Sequence, residues 1–337
     1  MMKIITTLGD GIEALKLSET ATPKPKAGEI LVKMTAVSLN FRDLLVVKGI
    51  EHWKPATARI PFSDGVGEVV AVGENVTRVN IGDCVAGIFL PKWLDGELTP
   101  EKYVMPLGGA AVDGVLAEFI VFSENAVVKI PRNLTDVEGA ALPVAAVTAW
   151  HAVSRRSRIQ RGETVLIQGT GGVSLFALQF VNALGGKPII TSSSDKKLER
   201  AKELGAIGTI NYKKFPNWDE KVVELTDGKG VDHVIEVVGG ENLNLSLNAV
   251  KLSGTISFIG LLAGLSAPIN TYQFVSKNVK IHGIETGSRE FFEEMNSFIE
   301  QNQIKPVIDK TFGFAEVKDA LKHLESGSHF GKIVVKI

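Results

Sequence analysis

The sequence Gln168-Gly169-Thr170-Gly171-Gly172-Val173-Ser174 joins a short apolar strand, residues 164–168, to an apolar helix over residues 173–184. Glycines in such a turn let the backbone bend tightly and approach a pyrophosphate, whose charge is stabilised by the helix N-terminus. A glycine-rich turn without a ligand is the alternative, and the sixth position of the motif is Ser174 rather than glycine or alanine. The strand before the turn and the helix after it favour a dinucleotide site. Its predicted residues are Gly169, Thr170, Gly171, Gly172 and Val173.

From about Asn125 onward, strands and helices alternate, which is typical of a parallel sheet. A second strand is predicted over residues 187–191, and an amphipathic helix over residues 195–204 is ended by Gly205. Further strands are predicted at 208–210, 231–237, 255–259 and 279–282, and further helices at 218–225 and 241–252. This pattern predicts an α/β domain with a doubly wound parallel sheet.

The end of the second strand of this domain bears on which dinucleotide binds. An NAD enzyme usually has an Asp or Glu there, which holds the ribose 2′-hydroxyl. This chain has Thr191-Ser192-Ser193-Ser194-Asp195-Lys196-Lys197 instead, which is either a plain polar turn or a phosphate site. We interpret Asp195 as the N-cap of the next helix, pointing away from the site. Because the hydroxyls and lysines can bind a 2′-phosphate and no acid at the strand end repels it, the sequence favours NADP over NAD.

The first third of the chain has the alternation of an antiparallel β region, with strands at 29–37, 64–73 and 116–122. Between them, residues 90–114 are irregular and predict a functional loop or lid. After Gly283, a helix capped by Ser288 is predicted over 288–301, followed by a helix at 315–324 and a strand at 332–337. Because these elements no longer alternate strictly, we expect them to return to the β-rich domain.

Composition excludes several classes of protein. The 337 residues carry 37 Lys and Arg against 38 Asp and Glu, and this net charge of −1 argues against a nucleic-acid partner. No stretch approaches the ~20 apolar residues of a membrane span, and the apolar stretch at the start is too short for a signal peptide. The single cysteine, Cys84, excludes an intrachain disulfide. We therefore expect a cytoplasmic protein with no membrane partner, acting on a small-molecule substrate.

Several motifs occur in order along nearly the whole chain: residues 40–43 (Asn-Phe-Arg-Asp), 64–70 (Asp-Gly-Val-Gly-Glu-Val-Val), 82–85, 140–143, 148–150, 169–174, 204–206, 210–212 and 331–334. With these motifs the chain resembles the medium-chain dehydrogenase/reductase superfamily, in its zinc-free, quinone-oxidoreductase-like (alcohol dehydrogenase-like) branch. The resemblance implies a discontinuous GroES-like catalytic domain, residues 1–124 and 285–337. It also implies a Rossmann NADP-binding domain over residues 125–284.

The resemblance further implies cofactor contacts outside the glycine-rich turn. Lys197 and Tyr212 match residues that flank the NADP 2′-phosphate, and Ser192 matches the position of the acid that selects NAD. For Tyr212 the alternative is a half-buried aromatic residue at a strand end. The residues implied to lie near the nicotinamide and its ribose are Asn40, Thr148, Val238, Ile259 and Leu261.

Zinc alcohol dehydrogenases bind their catalytic metal with a Cys, a His that has a neighbouring Glu, and a further Cys. At the matching places this chain has Asn40, then Ser63 with Asp64, then Val144. The resemblance therefore implies a site without a metal. We expect Cys84, which lies in a predicted strand, to be a small core residue.

Without a Lewis acid to lower the pKa of an alcohol, the reduction of an electrophilic acceptor is the easier reaction. We expect hydride transfer from NADPH to a quinone, an enone or a reactive carbonyl, with the protein chiefly orienting the reactants. Asn40 and Thr148 would hydrogen-bond the developing oxyanion or the carboxamide, and Asp64 would relay a proton. Each residue also has a purely structural alternative. Asn40 would be a turn residue, Thr148 would be a hydroxyl inside a helix, and Asp64 would pair with Arg42. An NADP-binding structural or regulatory protein with little turnover is the alternative function.

Three other side chains near these motifs are ambiguous. His151 follows Thr148 by about one helical turn, and we expect it to be a core histidine rather than an acid. Trp93 and Tyr103 lie in the 90–114 segment, where they either contact the substrate or anchor the loop.

The predicted strand at 279–282 ends the parallel sheet and would leave an unpaired edge in a monomer. Near this strand the chain has Lys277, Asn278 and Lys280. The alternative is therefore that charge at this edge prevents it from pairing with another chain. Members of the superfamily commonly join two such edges across a two-fold axis. The resemblance therefore implies a homodimer through residues near 265–283.

Overall fold

The computed structural model describes residues 1–104 and 106–337. The strands, β1 to β15 in chain order, are Met2–Thr6, Lys16–Thr20, Glu29–Ser38, Asp64–Val72, Cys84–Gly87, Phe119–Ser123, Val127–Lys129, Thr164–Ile167, Lys187–Ser192, Gly208–Asn211, Val231–Glu236, Val250–Phe258, Lys280–Gly283, Ile308–Gly313 and Lys332–Lys336. The α-helices, α1 to α10, are Phe41–Lys48, Asp136–Gly139, Val147–Trp150, Gly172–Ala183, Asp195–Glu203, Trp218–Leu225, Asn242–Ala249, Thr271–Ser276, Arg289–Gln301 and Val317–Glu325.

The described residues form two compact units. The first consists of Met1–Val147 and Thr286–Ile337, and the second of Thr148–Glu285. The boundary expected after residue 124 therefore lies further along the chain, because β7 pairs antiparallel with β5 and keeps residues 125–147 in the first unit. The boundary expected after residue 284 differs by one residue.

The first unit is built on a mixed sheet in the order β14-β15-β3-β4-β5-β7, with β6 paired to β3. The long strand β3 pairs antiparallel with β4, β6 and β15, so it forms the centre of this sheet. Gly67 on β4 lets β3 and β4 approach closely, since a Cβ at Gly67 would lie 2.2 Å from the carbonyl oxygen of Lys33 on β3. The core contains the buried residues Ile30, Val32, Met34, Val69, Phe62, Leu321 and Val335.

The second unit has a parallel sheet in the order β10-β9-β8-β11-β12-β13, with a helix between each pair of consecutive strands. This is the doubly wound arrangement that the sequence predicts, and its strand order reverses between β8 and β11. Nucleotides bind in such folds at the carboxyl ends of the strands beside the reversal. The glycine-rich turn follows β8 at this point of the sheet.

Several element bounds differ from those predicted. The helix predicted over 241–252 ends at Ala249, because Val250 already pairs with Val231 as the start of β12. Helix α1 is an element that the sequence analysis does not predict, although Asn40 and Asp43 have the spacing of an N-terminal capping pair.

Two other predictions concern the cap of α9 and the irregular segment. Ser288 caps α9 as predicted, since its Oγ accepts a hydrogen bond from the Phe291 N–H at 3.2 Å. Of the predicted 90–114 loop, the described residues lie outside strands and helices, and Met105 lies outside the described residues.

In neither described stretch, 1–104 or 106–337, does a helix combine the length and the apolar character needed to cross a bilayer.

Candidate functional site

The glycine-rich turn between β8 and α4 has the geometry of an anion cradle. Gly169 has a φ of +72°, a left-handed conformation that favours glycine, and its N–H donates to Oγ1 of Thr191 at 3.3 Å. Gly171 is the N-cap of the 12-residue helix α4. Apart from its chain neighbours, no heavy atom of the described residues lies within 4 Å of the position that a Cβ on Gly171 would take. This open approach to a helix N-terminus fits a pyrophosphate.

Ser174, at the sixth position of the motif, is accommodated by a hydrogen bond. Its buried hydroxyl donates to the carbonyl oxygen of Gln168 at 2.7 Å. Because this hydrogen bond satisfies the buried hydroxyl, Ser174 allows α4 to pack closely on β8. A glycine or alanine at this position of the motif has the same effect in other dinucleotide-binding domains.

The predicted phosphate-selecting residues lie at the ends of β9 and β10. Ser192 is buried at the end of β9, and its carbonyl oxygen accepts a hydrogen bond from the Tyr212 N–H at 3.1 Å. The Tyr212 residue is 41% exposed. Lys197 lies in the first turn of α5, and its N–H donates to Oγ of Ser194 at 3.5 Å. These contacts bring Ser192, Lys197 and Tyr212 to one end of the sheet.

Asp195 is the first residue of α5, and the prediction that it caps this helix is wrong. The N-cap is Ser194, whose extended backbone, with φ −131° and ψ 122°, lets its side chain reach the helix N–H groups. The Asp195 carboxylate pairs with Lys214 at 2.7 Å and accepts a hydrogen bond from Asn211 Nδ2 at 2.7 Å. These two partners, Lys214 first, hold the pKa of Asp195 below its usual value. The carboxylate is thus engaged with residues of and after β10.

Glu236, at the end of β11, is a residue that the sequence analysis does not identify. Its carboxylate is fully buried and accepts hydrogen bonds from the N–H groups of Val238 and Gly239, both at 2.9 Å. Gln168 Nε2 donates to Oε2 at 2.7 Å. The further donors are the side chains of Asn242 and Ser246. Glu236 therefore connects the residue before the glycine-rich turn to the turn that contains Val238.

Ile259 and Leu261, which are also expected near the nicotinamide, lie in a turn next to the one that contains Val238. The Ile259 N–H donates to the Glu236 carbonyl oxygen at 2.8 Å, and the Ala263 N–H donates to that of Val238 at 2.8 Å. Ile259 and Leu261 therefore follow β12 beside the Val238 turn, and Leu261 is 42% exposed. These contacts support the grouping of Val238, Ile259 and Leu261 in one part of the second unit.

Thr148 is buried in α3, which has a π-helical turn on each side, at Leu142–Ala146 and His151–Arg156. Such turns are frequent at functional sites. His151 is a core histidine as predicted: it is buried, its Nδ1 lies 3.1 Å from the Glu285 carbonyl oxygen, and its Nε2 accepts from Arg156 Nε at 3.2 Å. The two ring nitrogens are thus engaged in structural contacts.

In the first unit, Asn40 lies in a polar cluster with Ser63, Asp64 and Lys332. The Lys332 ammonium donates to Oδ1 of Asn40 at 2.6 Å and to the Leu39 carbonyl oxygen at 2.7 Å. Asn40 Nδ2 lies 3.4 Å from Ser63 Oγ, which in turn donates to Asp64 Oδ1 at 2.8 Å. The cluster therefore runs from a buried cation through an amide and a hydroxyl to a buried carboxylate.

Asp64 has partners that the sequence does not indicate. Its Oδ2 accepts a hydrogen bond from the Val144 N–H at 3.1 Å and lies 3.9 Å from Lys332 Nζ. Arg42, the alternative partner considered for Asp64, donates to the Leu107 carbonyl oxygen at 2.9 Å. The positions that match zinc ligands in the family are therefore joined by direct contacts; they are Asn40, Ser63, Asp64 and Val144.

Two ionisable groups next to Asn40 have shifted pKa values. Burial raises the pKa of Asp43 to about 7, although the hydrogen bond from the Asn40 N–H and the charge of Arg42 oppose this change. Burial lowers the pKa of Lys332, and the carboxylates of Asp64 and Asp43 oppose this shift. The cluster thus combines one buried ammonium group with two buried carboxyl groups.

The donor set of this cluster does not fit a catalytic zinc ion. Zinc in proteins is bound by thiolates, imidazoles and carboxylates, and a catalytic site usually has three such protein ligands and one position open to water or substrate. The cluster offers an amide, a hydroxyl, a single carboxylate and a backbone N–H, beside a lysine that repels a cation. Over residues 1–104 and 106–337, no group of three His, Cys, Asp or Glu side chains could hold a metal ion.

The structure also locates three further residues singled out in the sequence. Trp93 is fully buried, donates from Nε1 to the Gly96 carbonyl oxygen at 2.9 Å and packs edge-on against Phe291, so it anchors the loop. Tyr103 is exposed. Cys84 is half-buried rather than a core residue, since its thiol donates to Asp136 Oδ1 at 3.2 Å. Burial and the Asp136 carboxylate raise the pKa of Cys84 to about 12, which argues against a reactive thiolate.

The structure thus groups the predicted residues into two sets. Asn40 and Asp64 lie in the first unit, whereas Thr148 and the remaining cofactor residues lie in the second. Lys332 and Glu236 are the two residues that complete these sets and that the sequence analysis does not identify as functional.

Two family models match the chain. One described as an alcohol dehydrogenase GroES-like domain matches residues 26–132, and one described as a zinc-binding dehydrogenase matches residues 172–301. The second match contains none of the four positions Asn40, Ser63, Asp64 and Val144.

Individual proteins match over the whole chain. A zinc-type alcohol dehydrogenase-like protein of Schizosaccharomyces pombe is 42% identical over 334 residues, which cover 97% of this chain and 96% of that protein. The structure of an NAD-dependent alcohol dehydrogenase matches with a TM-score of 0.90 and 28% identity, covering 100% of both chains. A mycobacterial protein in complex with NADPH matches with a TM-score of 0.83 and 25% identity, also covering 100% of both chains.

Proposed function

Since this chain belongs to the medium-chain dehydrogenase/reductase superfamily and is an oxidoreductase of that type, we propose that it reduces an electrophilic acceptor with NADPH and without zinc. The acceptor class is a quinone, an enone or a reactive carbonyl. The contact of Lys332 with Asn40 carries the proposal, because it provides a positively charged, hydrogen-bonding site where zinc relatives have metal ligands. We propose the cytoplasm as the place of the reaction.

The residues of the cluster have distinct proposed roles. NADPH would supply the hydride when bound, and Asn40 Nδ2 donates a hydrogen bond to the acceptor oxygen as negative charge develops on it. Asp64, which accepts a 2.8 Å hydrogen bond from Ser63 Oγ, would relay to that oxygen a proton that solvent water supplies. Thr148 provides a further hydroxyl for the oxyanion or the carboxamide of the cofactor. In this proposal Asn40, Ser63 and Asp64 polarise the acceptor without a Lewis acid.

The choice of NADPH rests on the end of β9. Ser192 occupies the position of the NAD-selecting acid, and Lys197 and Tyr212 lie beside it. Asp195, the nearest carboxylate in sequence, is occupied by Lys214 and Asn211. The relatives include both an NADPH complex and an NAD-dependent enzyme, so these residues of the chain itself are the basis of the choice.

Consumption of NADPH over a panel of quinones, enones and aldehydes tests the proposal. We expect turnover with at least one class of acceptor and much slower turnover with NADH. Tight NADPH binding with no turnover over the panel would favour the alternative, a structural or regulatory NADP-binding protein.

Replacing Lys197 with alanine is expected to weaken NADPH binding by about 1.5–3 kcal/mol, typical of a hydrogen bond to a charged group, and to affect NADH little. The reason is that the lysine contacts only the 2′-phosphate in this proposal. Titration by nicotinamide fluorescence measures both affinities, and Lys202→Ala on the exposed face of α5 is the control. Equal losses for the two cofactors would contradict the assignment.

We also propose that the protein is a homodimer through residues near 265–283. Strand β13 is the last strand in its sheet, and the exposed apolar side chains Leu265, Tyr272 and Val275 precede it in the chain. An unpaired strand edge beside exposed apolar residues favours pairing with a second copy.

Light scattering at micromolar concentration should give a mass about twice the 36.2 kDa of one chain. Val275→Glu places a charge in the proposed interface and is expected to shift the mass towards the monomer, and so is Ile281→Pro, which removes a backbone donor from β13. A wild-type mass of one chain would rule out the dimer.

A further inference from the structure

We infer that Lys332 is the positioning residue for Asn40: its buried ammonium group fixes the Asn40 amide with Nδ2 as the donor and strengthens that donor. The inference rests on the proposed function, in which Asn40 contacts the acceptor oxygen. Lys332 follows Gly331 at the start of β15, 292 residues from Asn40 in the chain.

The contacts of Lys332 determine the orientation of the amide. Nζ donates to Oδ1 of Asn40 at 2.6 Å, so the carbonyl half of the side chain faces the ammonium group. A flipped amide would place its NH2 group against an ammonium group that has no acceptor, which is unfavourable in a buried site. One N–H of Nδ2 points to Ser63 Oγ at 3.4 Å. Among residues 1–104 and 106–337, the second N–H has no hydrogen-bond partner.

A cation on the carbonyl side of an amide also strengthens its N–H donors. The ammonium group draws electron density towards Oδ1, and in a low-dielectric interior such polarisation passes along a chain of hydrogen bonds. The positive charge itself lies within the same cluster, where it favours an oxyanion beyond Asn40. Lys332 is therefore placed to stabilise negative charge without touching the acceptor.

The cluster offsets part of the cost of burying a charge on Lys332, since the carboxylates of Asp64 and Asp43 oppose the lowering of its pKa by burial. Asp64 Oδ2 lies 3.9 Å from Nζ, and the carbonyl oxygen of Leu39 accepts a hydrogen bond at 2.7 Å. The same contacts define the competing explanation, in which Lys332 only offsets the charge of Asp64 and joins β15 to the end of β3. An experiment must therefore separate a loss of activity from a loss of structure.

A double-mutant cycle makes this separation. Lys332→Met is measured in the wild type and in Asn40→Ala, with kcat, NADPH affinity and melting temperature recorded for each variant. In the wild type we expect kcat to fall by about 10–100-fold, the usual effect of removing a group that orients a metal-binding side chain. The NADPH Kd should change less than about twofold. In Asn40→Ala, the same change should lower kcat by less than about twofold further. Lys336→Met, an exposed position on the same strand, is the control.

Equal falls in kcat in both backgrounds would overturn the inference while leaving the proposed function intact. A wild type that consumes no NADPH with any acceptor would overturn the proposed function and this inference with it. If Lys332→Met does not fold, the same cycle is run with Lys332→Gln, which removes the charge but keeps an N–H donor in the cluster. The same non-additivity in kcat is then expected, and additivity again overturns the inference.

Discussion

An enzyme with Asn40 replaced by alanine is expected to lose about 10²–10³-fold in kcat for NADPH-dependent reduction, the usual cost of removing one oxyanion donor. Asn40 Nδ2 is the donor proposed to face the acceptor, and Lys332 donates to Oδ1 on the other side of the amide. Alanine removes the donor and leaves the Lys332 ammonium with one acceptor fewer. NADPH affinity is expected to change far less than kcat, because the proposed cofactor contacts lie mainly in the second unit.

Steady-state kinetics with a saturating acceptor measures this effect, and fluorescence titration measures NADPH binding. Asn80→Ala, at an exposed turn of the same unit, is the matched control and should leave kcat unchanged. If Asn40→Ala retained the wild-type kcat, or lowered kcat only through a weaker NADPH complex, Asn40 would not be the oxyanion donor.

Glu236→Gln is expected to destabilise the second unit strongly and to weaken cofactor binding. The carboxylate accepts hydrogen bonds from two backbone N–H groups and from the side chains of Gln168, Asn242 and Ser246. A glutamine has one acceptor oxygen and places an NH2 group against these donors. Leaving buried donors without an acceptor costs about 1–3 kcal/mol each, so we expect a loss of about 3–5 kcal/mol in the free energy of unfolding.

Urea denaturation measures this loss, and fluorescence titration measures the accompanying weakening of NADPH binding. Glu241→Gln is the matched control, because Glu241 is exposed and lies just before α7. It should change neither quantity. A Glu236→Gln variant as stable as the wild type would contradict the importance of this network.

The fold could be predicted from local signals. The glycine-rich turn after an apolar strand and the alternation after it identify the doubly wound domain, because both features are continuous in the chain. The first boundary between the units could not be predicted in this way. It depends on the pairing of β7 with β5, two strands about 40 residues apart whose partners the sequence does not specify.

The candidate site could be predicted only where a motif marks it. Asn40, Asp64 and the glycines lie in motifs that indicate a function. Glu236 lies in none of the quoted motifs, and the 331–334 motif that contains Lys332 does not reveal its contacts, which are with residues distant in the chain. Glu236 accepts a hydrogen bond from Gln168, 68 residues away, and Lys332 donates to Asn40 across 292 residues. A charged residue at the end of a mostly apolar strand is the signal that could have identified Lys332 and Glu236. Charged groups are rarely buried unless a partner is present.

The cap of α5 illustrates a smaller error. Ser194 and Asp195 are both good N-cap residues, and the sequence alone does not distinguish them. The extended backbone at Ser194 decides between them, and the pairing of Asp195 with Lys214 follows from that choice.

Reduction by NADPH without zinc can be tested by measuring metal content and activity on one preparation dialysed against a strong chelator. We predict no stoichiometric zinc by elemental analysis and undiminished NADPH-dependent reduction, because in the proposed mechanism the Asn40 cluster polarises the acceptor by itself. Activity that disappears with the chelator and returns on addition of Zn²⁺ would contradict a metal-free reaction.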